Sequence, residues 1–213
     1  MHILIKKISF VSKKDKMTSA VAEKVTIIPK EKVKRLISLE SFRNRYANRE
    51  DDYKYEWNNG IVEKTPRTMR KNQYWLVQKL MRLFILTDAF KKSSELMTEV
   101  EMFLPLHNRT RIPDMALMTK EQIHATADDG EFVSEFVVEI ISKFDKINEV
   151  ETKLDEYFAN GVKVVWRILP QLEKVEVYTS PTDVKICRGA TLCSASPILP
   201  DFEITAEMLF QKS

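Results

Sequence analysis

Glycine is scarce in this chain: four occur in 213 residues, at Gly60, Gly130, Gly161 and Gly189. That excludes a flexible glycine-rich linker, so each glycine marks a specific turn. Cys187 and Cys193 are the only cysteines, too few and too plainly placed for a disulfide framework or a zinc site. They read as two free thiols in a reducing cytoplasm. His2, His107 and His124 are scattered with no two at ligand spacing, which argues against a histidine metal centre. No apolar run approaches the roughly 20 residues that cross a bilayer. The opening Met1-His-Ile-Leu-Ile-Lys-Lys7 is too short and too interrupted by lysine for a secretory signal. A cytoplasmic protein without a membrane partner is expected. The formal charge of +3 is too small to announce a nucleic-acid partner by itself.

What is present describes an ordinary globular chain, 44% apolar and 31% charged, long enough for one domain with a substantial core. Residues 1–30 are basic and weakly patterned, with Lys6, Lys7, Lys13, Lys14 and Lys16, and read as a flexible arm. Met17 offers an alternative start. Residues 31–213 read as a single domain without internal repeats.

Ser38 caps a short helix with Leu39, Phe42 and Tyr46 near helical spacing. Asp52–Thr65 reads as a hairpin turning at Asn58-Asn-Gly60, with Glu56 and Glu63 on its two arms. From Arg70 to about Asp88 the period becomes helical, with Trp75, Leu76, Leu80, Leu83 and Phe84 on one side and Arg70, Lys71, Lys79 and Arg82 supplying charge. Strands are expected over 95–106 and from Arg111 to Met118, then a polar connection with one short helix over 119–130. Phe132–Ile141 is almost wholly apolar, the mark of a central strand covered on both faces. Asn148-Glu-Val-Glu151 suggests a capped helix start and Gly161 the stop, with Val150, Leu154, Tyr157 and Phe158 as its buried stripe. Strand, helix and the strand from Val162 to Ile168 form a crossover unit with parallel neighbours. Lys174–Tyr178 and Asp183–Cys187 follow as strands, residues 188–197 as a loop, and Ala206–Phe210 as a short closing helix.

Two acids stand out in this pattern. Asp114 and Glu139 each lie in a strand segment where a buried strand normally carries an aliphatic residue. An isolated buried carboxylate is strongly disfavoured unless a cation or hydrogen bonds compensate it. One reading is a divalent-metal site; the other is an acid at a strand end or in a structural salt bridge. Lys153 lies at the edge of the buried stripe of its helix, placed either to run past the core into solvent or to reach a carboxylate cluster. Two acids suffice for magnesium, which prefers carboxylate oxygens and keeps waters. Such a site activates water and supports phosphodiester cleavage, and a lysine beside it stabilises developing negative charge or orients and deprotonates the water. The basic helix at 70–82 offers phosphate contacts.

The chain resembles the Uma-two family of the PD-(D/E)XK restriction-endonuclease-like superfamily over roughly Ser38 to Phe210. The resemblance is carried by Tyr53-Lys-Tyr-Glu-Trp-Asn-Asn-Gly60 with Ile61-Val-Glu63, then Pro113-Asp114 and Phe136-Val-Val-Glu-Ile-Ile-Ser142. It continues through Lys153-Leu-Asp-Glu-Tyr157, Gly161-Val162, Val165-Trp166, Val175-Glu-Val-Tyr178 and Pro200-Asp-Phe202. It implies an α/β fold, a restriction-endonuclease-like mixed central sheet flanked by helices, with N-terminal and C-terminal hairpins. It further implies a magnesium-dependent endonuclease (manganese as substitute) acting on DNA, with Asp114 and Glu139 as metal ligands and Glu56 as an accessory acid. Two positions depart from the pattern. Ile141 stands where the superfamily lysine falls, leaving Lys153 as its replacement on the next helix. Asn72-Gln73 stand where a histidine is often found, and Arg70, Lys71 and Gln73 remain as nucleic-acid contacts. A homodimer is compatible with cutting both strands. The alternatives from other classes are a catalytically inactive nucleic-acid-binding module that retains the nuclease fold, and an interaction protein whose acids form salt bridges.

Overall fold

The computed structural model describes residues 35–47, 49–66 and 74–211. The expected arm over 1–30 lies outside the described residues. In chain order the elements are helix α1 (Leu39–Phe42), a π-helical turn (Arg43–Ala47), strands β1 (Tyr53–Asn58) and β2 (Ile61–Pro66), and helices α2 (Tyr74–Phe84) and α3 (Asp88–Lys91). Then come β3 (Glu95–Thr98), β4 (Met102–Leu104), β5 (Arg109–Arg111), β6 (Met115–Met118), α4 (Lys120–Ala127) and β7 (Phe136–Ile140). The chain closes with α5 (Ile147–Ala159), β8 (Val164–Leu169), β9 (Lys174–Ser180), β10 (Asp183–Cys187), β11 (Leu192–Ala195), β12 (Leu199–Thr205) and α6 (Ala206–Phe210).

The apolar run of β7 makes it an interior strand of a six-stranded sheet ordered β10-β9-β8-β7-β6-β3. All five of its residues are buried. It runs parallel to β8 through the α5 crossover and antiparallel to β6, so the sheet is mixed as the strand and helix order requires. A second sheet, β2-β1-β5-β4, is built on the N-terminal hairpin. Its turn is closed by Asn59 at φ 47° and Gly60 at φ 88°, backbone values that suit this Asn-Gly pair. β11 and β12 form a third, two-stranded sheet.

Alternation along each strand of the six-stranded sheet separates two cores. Phe136, Val138, Ile140, Trp166 and Ile168 point to the face covered by Leu76, Leu80 and Phe84 of α2 and by the C-terminal hairpin with α6. Val137, Val165, Ala116 and Met118 point to the other face, under Leu154 and Tyr157 of α5. Glu139 follows Val137 by two residues and therefore opens towards α5. A third cluster places Tyr55 and Trp57 of β1 on Phe42 of α1.

Several local expectations are adjusted. Ser38 does cap α1, its side chain accepting from Ser41 N. The Asn148 cap does not form: α5 begins at Ile147 behind Lys146, with no side-chain cap bond. The cause is the preceding turn, in which Ser142 N donates to Asp145 Oδ2 at 2.5 Å and delivers the chain in helical direction two residues early. The helix expected to run to Asp88 stops at Phe84, and Thr87 caps the separate α3 by accepting from Phe90 N. The expected loop over 188–197 contains β11, where Cys193 and Ala195 alternate inward and pair with β12. Both cysteines are free and buried.

Phe202 of β12 packs against Phe84, Phe136 and Trp166 with ring centroids 6.3, 5.6 and 5.2 Å away, and it is fully buried. Phe202→Ala is expected to lower the unfolding free energy by about 3–5 kcal/mol, since the surrounding rings cannot collapse into the space. Urea denaturation with an unchanged m-value checks this; a loss below 1 kcal/mol would show that the C-terminal hairpin is not part of the cooperative core.

Candidate active site

The antiparallel register between β6 and β7 sets Met115 opposite Val138, so the next step along β6 brings Asp114 opposite Glu139. Both carboxylates are inside the protein, Asp114 5% and Glu139 8% exposed. Each is compensated, as burial demands. Asp114 Oδ2 accepts from the backbone N–H of Ile140 at 2.7 Å, and its Oδ1 accepts from Lys54 Nζ at 2.6 Å. Glu139 Oε1 accepts from the Tyr157 hydroxyl at 2.6 Å and lies 3.5 Å from Lys153 Nζ.

Lys153 and Tyr157 are four residues apart on α5 and so share the face that leans over the sheet. Glu156 of the same helix faces the second sheet. It accepts from Arg109 Nη1 at 2.7 Å through Oε1 and from Arg111 Nε at 2.7 Å through Oε2. Arg111 Nη1 donates in turn to Glu56 Oε2 at 2.7 Å, and Ile112 N donates to Glu56 Oε1 at 2.9 Å. Lys153 Nζ closes the chain of contacts 3.8 Å from Glu56 Oε1. Among the described residues, Arg109 Nε is the only buried side-chain polar atom without a hydrogen-bond partner.

The charges bias one another strongly. Burial alone would lower Lys153, but Glu139 and Glu56 outweigh it and hold the ammonium well above the usual lysine range. Lys54 is likewise raised despite burial, by Asp114 and Glu139. For Glu56, burial is overcome by Lys153 and Arg111 and by the Ile112 N–H, and its carboxyl sits at about 2. Glu139 goes the other way: burial, with the Asp114 charge beside it, raises it against the pull of Lys153 and Lys54. Burial and the neighbouring Glu139 also raise the Tyr157 hydroxyl, which stays a donor.

Asp114, Glu139 and Lys153 thus converge as the sequence spacing suggested. Glu56 is one step removed, reaching the pair through Lys153. Arg70, Lys71 and Gln73 lie outside the described residues. Lys79, from the same basic segment, is committed elsewhere, donating to the carbonyls of Met208 and Gln211 at 2.6 and 2.5 Å. Sequence reasoning missed Lys54, Arg111, Glu156 and the hydroxyl of Tyr157. The signal for Lys54 was the period of two from Glu56 on the same strand, and for Tyr157 the step of four from Lys153. Among the described residues no three His, Cys, Asp or Glu side chains gather around one point. The metal-capable donors are the pair Asp114 and Glu139, whose hard oxygens suit magnesium in kind and in number.

A mixed central sheet flanked by helices is the restriction-endonuclease-like fold class. The chain belongs to the Uma2 family, described as "Putative restriction endonuclease", whose model matches residues 39–207. Among solved structures it is similar to a "putative nuclease belonging to DUF820" from Anabaena variabilis, at 15% identity and a TM-score of 0.67, covering 82% of this chain and 97% of that one. A DrdV–DNA complex is also matched, at 15% identity and a TM-score of 0.31 over 53% of this chain and 12% of that one. A comparison with curated proteins finds no match.

Glu56 links this site to stability. Its carboxyl lies at about 2 when folded against an ordinary 4.5, worth about 3 kcal/mol. Because the folded value is depressed, that stabilisation is present above pH 4.5 and is lost as the pH falls towards 2. Glu56→Gln is expected to be less stable at neutral pH and to lose less stability than the parent on acidification, by urea melts across that window. Parallel pH profiles for the two proteins would contradict the ion-paired role of Glu56.

Proposed function

We propose that this protein is a divalent-metal-dependent endonuclease that hydrolyses DNA phosphodiester bonds. The observation that carries the reading is the apposition of Asp114 and Glu139 on adjacent strands with Lys153 3.5 Å from Glu139. The family description supports the reaction class. Asp114 and Glu139 would hold magnesium, or manganese in its place. When bound, the ion supplies Lewis-acid activation of water and charge neutralisation at the phosphate.

The chain's own residues divide the remaining work. Lys153, kept cationic by Glu139 and Glu56, is suited to stabilise negative charge growing on the phosphate rather than to take a proton from water. Tyr157 fixes the rotamer of Glu139 through its 2.6 Å hydrogen bond, and Ile140 N fixes Asp114. Glu56 acts as a positioning residue, holding Lys153 and Arg111. Lys54 balances Asp114 and would give up that contact to a bound ion. Residues 31–213 act as one domain, the protein works in the cytoplasm, and a homodimer is compatible with cutting both strands. Among the described residues no helix is long and apolar enough to cross a membrane.

One observation favours a second reading, a nucleic-acid-binding module that keeps the fold without cleaving. Both oxygens of Asp114 are already occupied, by Lys54 and by Ile140 N. That reading expects salt-sensitive DNA binding and no cleavage with any divalent ion.

Plasmid nicking in magnesium decides between them. Asp114→Asn and Glu139→Gln are each expected to lower the rate roughly a hundredfold or more. Lys153→Met is expected to lose turnover to a similar degree while manganese affinity, followed by calorimetry, stays near that of the parent. Parent-like cutting by both acid variants would overturn the assignment, and parent-like cutting by Lys153→Met would return that lysine to a purely structural role.

A further inference from the structure

A cleft of about 120 Å³ opens beside the paired acids. Lys54 and Ile112 form its inner wall, and Lys54 Nζ is the atom that touches Asp114 at 2.6 Å. The cleft and the reacting centre therefore share a side chain. Its other walls are aromatic. Tyr46, Tyr53 and Tyr55 all line it, with the Tyr46 and Tyr55 rings 5.1 Å apart. Tyr55 is fixed by its hydroxyl, which donates to Asp51 Oδ2 at 2.7 Å. Arg49 lies over the Tyr46 and Tyr55 rings at 5.5 and 5.4 Å, its side chain half exposed at the rim.

We propose that this cleft receives one unpaired pyrimidine base of the substrate strand, cytosine in preference to thymine. The inference rests on reading the chain as a nuclease and adds which nucleotide it engages. Three features select this ligand. Aromatic rings, and an arginine guanidinium lying over two of them, are surfaces on which a base stacks. The volume of about 120 Å³ matches a single ring in size, since an engineered cavity of about 150 Å³ accommodates benzene. The acceptor side consists of carboxylates. Glu99 and Glu101 both line the cleft, Glu99 with its Oε1 3.5 Å from Lys54 Nζ and Glu101 with its Oε1 held by Arg43 Nε at 3.0 Å. Carboxylates accept from the N4 amine of cytosine, whereas thymine presents the O4 acceptor at the same place. A paired base cannot enter without leaving its stack, so the nucleotide is single-stranded or flipped out.

The test uses the full chain in EDTA, where no cleavage occurs, with fluorescein-labelled oligo(dC) and oligo(dT) of equal length followed by anisotropy. The parent is expected to bind oligo(dC) more tightly than oligo(dT). Tyr53→Leu is expected to weaken oligo(dC) binding roughly tenfold or more. Tyr53→Phe keeps the ring and the parent affinity, and Glu101→Gln narrows the gap between the two oligonucleotides. Equal affinity of the parent for both overturns the proposal without recourse to any variant, as does a folded Tyr53→Leu protein that binds oligo(dC) like the parent. Cleavage is read separately in magnesium. A parent that shows the cytosine preference but never cuts DNA upholds the cleft and overturns the nuclease reading, while one that cuts DNA with no base preference does the reverse.

Discussion

One buried carboxylate, Asp114, ties the molecule together. Its two oxygens join Lys54 of β1, in the four-stranded sheet, to the backbone of Ile140 in the six-stranded sheet. Removing Lys54 would leave the Asp114 charge in the interior without its cation, a change that costs about 3–5 kcal/mol in buried pairs. The sheets are therefore held in register by the same group that stands at the centre of the candidate chemistry. A site that doubles as a structural clamp explains why its acids tolerate burial at all.

Helix α5 is the second organising element. Its three site residues, Lys153, Glu156 and Tyr157, fall on one side because they are spaced by three and four. Lys153 and Tyr157 both reach Glu139 Oε1, Lys153 also approaches Glu56, and Glu156 takes the two arginines of β5. The crossover connection that makes β7 and β8 parallel also carries this helix over the acids. Topology and chemistry are thus set by one segment of chain.

Much of this was legible before any coordinates. The apolar run with a lone Glu139, the hairpin at Asn58-Asn-Gly60 and the crossover through α5 follow from period and turn chemistry, and the structure has them. Lys153 was legible as a stripe-edge lysine, though its partners were not. What stayed hidden depends on contacts between distant segments. Lys54 reads locally as the solvent side of an aromatic hairpin; only the second sheet packing on the first buries it, at 7% exposure, against Asp114. Arg111 and Arg109 likewise look like loop-edge cations until Glu156 meets them from 45 and 47 residues away. Asn148 misled because the turn ahead of α5 starts the helix on its own. Arg70, Lys71 and Gln73 lie outside the described residues.

The role of the paired acids is tested most directly by manganese anomalous scattering from crystals of the protein. A peak between Asp114 and Glu139, with the Lys54 ammonium displaced from Asp114, is the expected result. An intact Lys54–Asp114 contact at saturating manganese, with no peak between the two acids, would contradict a metal role for this site.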